Sequence, residues 1–196
     1  MTRGVSKSFR TRNQETHIII GEGRSEKIYF DRIRSDFSNI HIHTIDARGG
    51  DVAQIKRCLN REMASYRKGD EICVVMDVDY KNVDDIVKFE KWCVDNGIEL
   101  YISNPSFEVY LLMHYRDVHG NLSQSDLEES LSTHLGRKYD KGRGISLDEQ
   151  KILSAVSRAD RNLPEKQSSA MYVAGKPGTT TVHRLVKKLA NKLEFG

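Results

Sequence analysis

The chain has 196 residues, enough for one sizeable domain or for one domain with an appendage. It is 38% hydrophobic and 30% charged, no apolar run approaches the length of a membrane span, and the N-terminal stretch lacks the apolar core of a secretion signal. Membrane-embedded and secreted classes are therefore set aside, and a cytoplasmic protein with no membrane partner is expected. Cys58, Cys73 and Cys93 are odd in number and lack metal-ligand spacing, which argues against a disulfide framework and a thiolate metal site.

The net charge of +3 is unevenly spread. Residues 1–14 carry +4 from Arg3, Lys7, Arg10 and Arg12, and residues 121–196 also carry +4, which leaves −5 for the middle. An acidic centre between basic ends fits a metal site flanked by nucleic-acid-gripping segments, and equally fits ordinary scatter.

Residues 1–15 read as a flexible basic arm. His17–Ile20 reads as a short buried strand that ends in Glu22, with Glu26 one turn into the next segment. From Arg24 to about Phe37, apolar residues at Ile28, Tyr29, Ile33 and Phe37 follow helical spacing. Ile40, Ile42 and Ile45 suggest a second strand, with His41 and His43 on its open face. Arg48-Gly49-Gly50-Asp51 is a turn, with Asp51 a cap for a helix striped by Val52, Ile55, Leu59 and Met63.

Glu71–Met76 is the most apolar short run and reads as a buried strand that exits into Asp77-Val78-Asp79. Alternate residues of an extended strand end share a side, so the two aspartates are expected to face one point. Two such carboxylates repel unless a cation lies between them, and hard oxygen ligands suit Mg²⁺ or Mn²⁺. A turn or a helix cap is the plainer reading of the same pair. A helix over about 83–96 and a strand over Ile98–Ile102 follow, with Asn96-Gly97 as the stop between them.

The order β-α-β-α-β-α-β in units of about thirty residues predicts a parallel sheet covered by helices on both faces. Ligands of such sheets bind outside the carboxyl ends of the strands, where these acids lie. Pro105 is expected in the first turn of an apolar helix after strand four. Glu108 in that helix is either a further metal ligand or a capping glutamate, and His114 reads as a structural histidine.

Residues 116–196 read as a helical C-terminal extension packed on the core of residues 16–115. Leu127, Leu131 and Leu135 mark one helix, and Leu147–Asn162 another. Between them, the loop from Gly136 to Gly144 holds Arg137, Lys138, Lys141 and Arg143 around Tyr139. It suits phosphate contact and base stacking, or is a plain loop. The Gly175–Thr181 stretch is no phosphate loop, because Lys176 precedes its second glycine; it leads into a closing helix with Val182, Leu185, Val186, Leu189 and Leu193 inward.

Three stretches together resemble the RloB-like family: Gly21–Phe30, Asp77–Asp79 and Ser103–Leu112, with the Ser-Asn-Pro-x-Phe-Glu motif the most specific. The segment Gly175–Leu189 is similar to that family's closing stretch. The resemblance implies a TOPRIM-like fold, a four-stranded parallel sheet flanked by helices, in which a glutamate after strand one and an Asp-x-Asp after strand three carry metal-dependent phosphodiester chemistry. Glu22, Asp77 and Asp79 stand at those positions, and Glu26 matches a second acid of OLD-type nucleases. It further implies a restriction or phage-defence setting and an ATPase partner.

The expectation is thus a Mg²⁺- or Mn²⁺-dependent nuclease acting on DNA or RNA. Asp77 and Asp79 hold a metal, and Glu22, Glu26 and Glu108 complete one or two metal sites, or Glu22 acts as general acid/base. Lys141 neutralises transition-state charge, and Arg137, Lys138, Lys141 and Arg143 grip nucleic acid. The rival expectation is a non-catalytic sensor of nucleic acid or nucleotide that reports to the ATPase.

Overall fold

The computed structural model describes residues 16–36, 41–49, 51–67, 69–163 and 169–190. The basic arm, Phe37, Ile40, Gly50 and Leu193 lie outside the described residues. In chain order the elements are β1 (Thr16–Gly21), α1 (Arg24–Asp36), β2 (His41–Asp46), α2 (Val52–Met63), β3 (Glu71–Asp77), α3 (Val83–Asp95) and β4 (Ile98–Asn104). They continue with α4 (Glu108–Met113), α5 (Gln124–Leu135), α6 (Glu149–Asn162), α7 (Ala170–Ala174), β5 (Thr179–Thr180) and α8 (Val182–Ala190).

The strands form one sheet in the order β2-β1-β3-β4-β5. The first four are parallel, as the alternating pattern predicts, and β5 runs antiparallel to β4. The expected four-stranded, wholly parallel sheet is thus corrected to a five-stranded mixed one. The extra strand comes from the C-terminal stretch expected to be helical. Thr179 and Thr180 are too few to show a period, but their side chains are buried. Ser103 Oγ and Thr180 Oγ1 lie 2.8 Å apart, and the Gly178 N–H donates to the Asn104 carbonyl at 2.9 Å.

Alternation along the strands feeds two apolar layers. Ile19, Cys73, Val75 and Tyr101 face α1, α4, α5, α6 and α8, whereas Ile20, Val74, Met76 and Ile102 face α2, α3 and α7. Near-continuous apolar runs in β1 and β3 follow from burial on both faces. Asn104 ties the second layer to the sheet, its Nδ2 donating to the Val173 and Ala174 carbonyls at 2.9 and 2.8 Å. The helix ends obey local chemistry. Asp51, Asn82, Ser123 and Asp148 accept first-turn N–H bonds of α2, α3, α5 and α6, and Gly136 closes α5 in the left-handed region at φ 63°.

From β1 the chain crosses to β2 on one side and returns to place β3 on the other. The strand order therefore reverses between β1 and β3, the position where an open α/β sheet leaves a crevice. Gly21 closes that crevice from below. A Cβ there would stand 2.8 Å from the Glu26 Cβ, so only glycine lets the first turn of α1 settle on the strand end.

Candidate active site

Three chain turns meet above the β1–β3 crevice. The first is Glu22–Glu26, between β1 and α1. The Glu22 N–H donates to the Val75 carbonyl at 2.9 Å, and its Oε2 accepts the Asp77 N–H at 3.0 Å, so this residue bridges the two central strands. Its Oε1 accepts Lys81 Nζ at 2.8 Å. Glu26 is 2% exposed, not the solvated first-turn glutamate a helix dipole would favour. Its Oε2 accepts the Gly23 N–H at 3.2 Å. Burial, then the charges of Glu108 and Glu22, push its carboxyl up to about 8 against backbone hydrogen bonds that pull it down.

The second turn follows β3. Asp77 is the last strand residue, and its Oδ1 accepts the Phe107 N–H at 2.8 Å. Burial, then Glu26, Glu108, Glu22 and Asp79, hold its carboxyl well above the usual range. The expectation of an extended Asp-x-Asp sharing one side is corrected. Asp79 has φ 40°, and its N–H donates to the Pro105 carbonyl at 2.9 Å, so the chain has already turned. Asp79 is exposed, at the mouth of the crevice rather than beside Asp77. It still feels the group: partial burial raises its carboxyl, Lys81 opposes this, and Glu22 adds to it.

The third turn follows β4. The Asn104–Pro105 peptide bond is cis, and the helix expected to open at Pro105 begins at Glu108 instead. Glu108 is 1% exposed and is not a cap; α4 has no side-chain capping bond. Its Oε1 accepts the Ser25 hydroxyl at 2.8 Å and the Tyr139 hydroxyl at 3.0 Å, with Lys141 Nζ at 3.5 Å. Burial would raise this carboxyl, but Lys141, first, and the Ser25 hydroxyl outweigh it and hold it below the usual range. Its other oxygen, Oε2, is buried with no hydrogen bond of full geometry among the described residues, and the Ser106 hydroxyl nearby also helps to hold the carboxyl down.

Loop 136–144 brings Lys141 Nζ to 3.5 Å from Glu108 but does not present a row of phosphate grips. Arg137 donates to the Gly144 carbonyl at 2.8 Å and to the Lys138 carbonyl at 3.2 Å, and so organises the loop. Arg143 stands 3.8 Å from Asp140, and Lys138 is exposed. Tyr139 is no stacking platform: it is 7% exposed, with its hydroxyl on Glu108. Gly144, at φ 57°, lets the loop press onto Ile28, whose Cγ2 would lie 2.9 Å from a Cβ. His114 is structural, its Nδ1 3.0 Å from the Tyr110 carbonyl and its Nε2 3.2 Å from the Tyr29 hydroxyl.

The structure thus gathers Glu22, Glu26, Asp77, Glu108 and Lys141, with Asp79 at the rim. Sequence reasoning missed Ser25, Tyr139 and Lys81. Only Lys81 had a signal, as the lone cation directly after the acidic strand exit.

The donor chemistry fits a divalent cation. The acids supply hard oxygen ligands, and burial, then neighbouring carboxylates, raise the Asp77 and Glu26 carboxyls, which a cation would offset. As the side chains stand, no group of three His, Cys, Asp or Glu among the described residues is already arranged around one point. Lys81 on Glu22 is part of the reason.

A family profile described as RloB-like protein matches residues 17–189, nearly the whole chain. The chain belongs to the RloB-like protein family. The match takes in every carboxylate of the RloB-like crevice and also β5. No curated protein and no solved structure matches the chain. Among the described residues, no helix is long and apolar enough to cross a membrane.

Proposed function

We propose that this RloB-like protein is a Mg²⁺- or Mn²⁺-dependent phosphodiesterase acting on DNA or RNA, with a TOPRIM-like site. The observation that carries the reading is the shared crevice of Glu22, Glu26, Asp77 and Glu108, in which burial, then Glu108 and Glu22, raise the Glu26 carboxyl, and burial, then Glu26, Glu108 and Glu22, raise that of Asp77. Such crowding at a strand-order reversal costs stability and suits a group that needs positive charge to be complete.

In this reading Glu22, Asp77 and Glu108 hold the cation, and Asp79 approaches from the rim. The cation supplies charge stabilisation to a phosphodiester under attack by water. Glu26, buried beside these residues with its Oε2 on the Gly23 N–H, would be the candidate to pass a proton to the leaving oxygen. Lys141, half-exposed beside Glu108, faces the charge that builds on the phosphate. The defence or restriction setting and an ATPase partner belong to the same proposal and rest on the family resemblance.

The test is cleavage of plasmid, linear duplex, single-stranded DNA and tRNA in Mg²⁺, in Mn²⁺ and in chelator, beside Asp77→Ala. Metal-dependent products lost in the variant support the enzyme. Equal cleavage by the variant overturns it. One observation favours the sensor reading: Lys81 already neutralises Glu22. That reading expects saturable, metal-sensitive nucleic-acid binding without products, relayed to the partner ATPase.

A further inference from the structure

Lys81 is a cation of the crevice that the proposed chemistry leaves without a role. Its Nζ lies 2.8 Å from Glu22 Oε1, and the two side chains are 14% and 12% exposed. An exposed ion pair of this kind would mean little, but this one is sheltered at the centre of an acidic group. Both oxygens of Glu22 are already engaged, Oε2 by the Asp77 N–H and Oε1 by Lys81. A divalent cation that takes Glu22 as a ligand stands close to the Lys81 ammonium, and the repulsion between the two charges favours the departure of the ammonium.

The surroundings state where the ammonium goes. The loop backbone is pinned: the Val78 N–H donates to the Ser103 carbonyl, the Asp79 N–H to the Pro105 carbonyl and the Lys81 N–H to the Val78 carbonyl, each at 2.9 Å. The flexible four-carbon stem of Lys81 is what can move. Beside it opens a cleft of about 680 Å³ whose lining sets Lys56, Lys81 and Lys88 among Asp51, Asp79 and Asp85. Tyr80 is fully exposed on its lip. Exposed aromatics beside lysines suit a nucleic-acid strand, which offers bases to stack and phosphates to pair.

Resting on the phosphodiesterase reading, we propose that Lys81 is the resident counter-ion of this site: metal entry displaces it from Glu22, and the freed ammonium binds a phosphate of the nucleic-acid strand in the Tyr80 cleft. Metal loading and substrate capture are thereby coupled through one side chain.

The experiment is a calorimetric Mn²⁺ titration of the full chain without nucleic acid, for the native protein, Lys81→Met and Lys81→Arg. Removing the competing charge strengthens Mn²⁺ binding by about tenfold or more. Arginine, which grips a carboxylate with two N–H groups, weakens it below native. The expected order of affinity is Met, then Lys, then Arg. A second arm measures a fluorescent single-stranded oligonucleotide in saturating Ca²⁺, where Lys81→Met binds about fivefold more weakly than native through its missing phosphate contact. Equal Mn²⁺ affinity in native and Lys81→Met overturns the counter-ion role while leaving the metal site standing. No Mn²⁺ binding by any of the three overturns both.

Discussion

Glu26 is a carboxylate the fold holds at a cost, and that cost is measurable. Its carboxyl rises from an ordinary 4.5 to about 8, chiefly through burial. A group whose folded pKa exceeds its unfolded one binds its proton more tightly when folded. Its stabilising contribution is complete below 4.5 and is lost as pH climbs to about 8. Each pH unit in that window costs about 1.4 kcal/mol, so at pH 7 the native chain has given up about 3 kcal/mol at this residue. Glu26→Gln removes the titration and keeps an amide oxygen for the Gly23 N–H bond. The variant is expected to be more stable than native by about 3 kcal/mol at pH 7, and equal to it near pH 4.5. In a chain of this size that raises Tm by about 6–12 °C. Urea unfolding in chelator at half-unit steps from pH 4.5 to 8.5 reads both curves. A constant difference between them across that range, or a Gln variant less stable at pH 8, refutes the assignment of the burden to Glu26.

Two further outcomes follow from the loop over the crevice. Tyr139→Phe deletes one of the two hydroxyl donors to Glu108 and leaves Ser25 and Lys141 in place, so it costs about 1–2 kcal/mol by urea unfolding. Lys138→Ala, at an exposed side chain, lowers the salt slope of oligonucleotide binding by about one with unchanged stability, whereas Arg137→Ala lowers Tm because it releases the Gly144 carbonyl. Equal salt slopes and equal melting for the two variants would remove the distinction drawn between a phosphate grip and a loop strut.

The parallel part of the sheet was legible because β1 and β3 are short apolar runs with turn residues at their ends, and each is followed by a helix with a clear buried stripe. Strand exits carrying Glu22 and Asp77 were legible for the same reason: once topology is known, the exits are known. Three things were not. β5 is two residues long and is held by Ser103 and Asn104, which lie far away in sequence. Asp79 obeyed the period of a strand on paper, but the strand stops at Asp77 because the Pro105 carbonyl captures the Asp79 N–H. Tyr139 looked like a free aromatic in a basic loop. Its neighbours in space, Ser25 and Glu108, are separated from it by more than a hundred and by thirty-one positions.

The same comparison bears on what the crevice is for. A buried carboxylate that served only the fold would be satisfied, as Glu108 Oε1 is by two hydroxyls and a lysine. Asp77 and Glu26 each accept a backbone N–H, yet burial and the neighbouring carboxylates still raise both carboxyls, with Glu26 acting on Asp77. Glu108 Oε2 is buried with no hydrogen bond of full geometry among the described residues. A core of this kind gains nothing from a further acid, and replacement by apolar residues of similar size is often neutral or stabilising. The unsatisfied remainder is therefore concentrated where the strand order reverses, next to a lysine that can leave. That is the arrangement expected of a site completed by a ligand with positive charge, and it is why Mn²⁺ affinity, before any assay of turnover, is the quantity that separates a working centre from a costly cluster of acids.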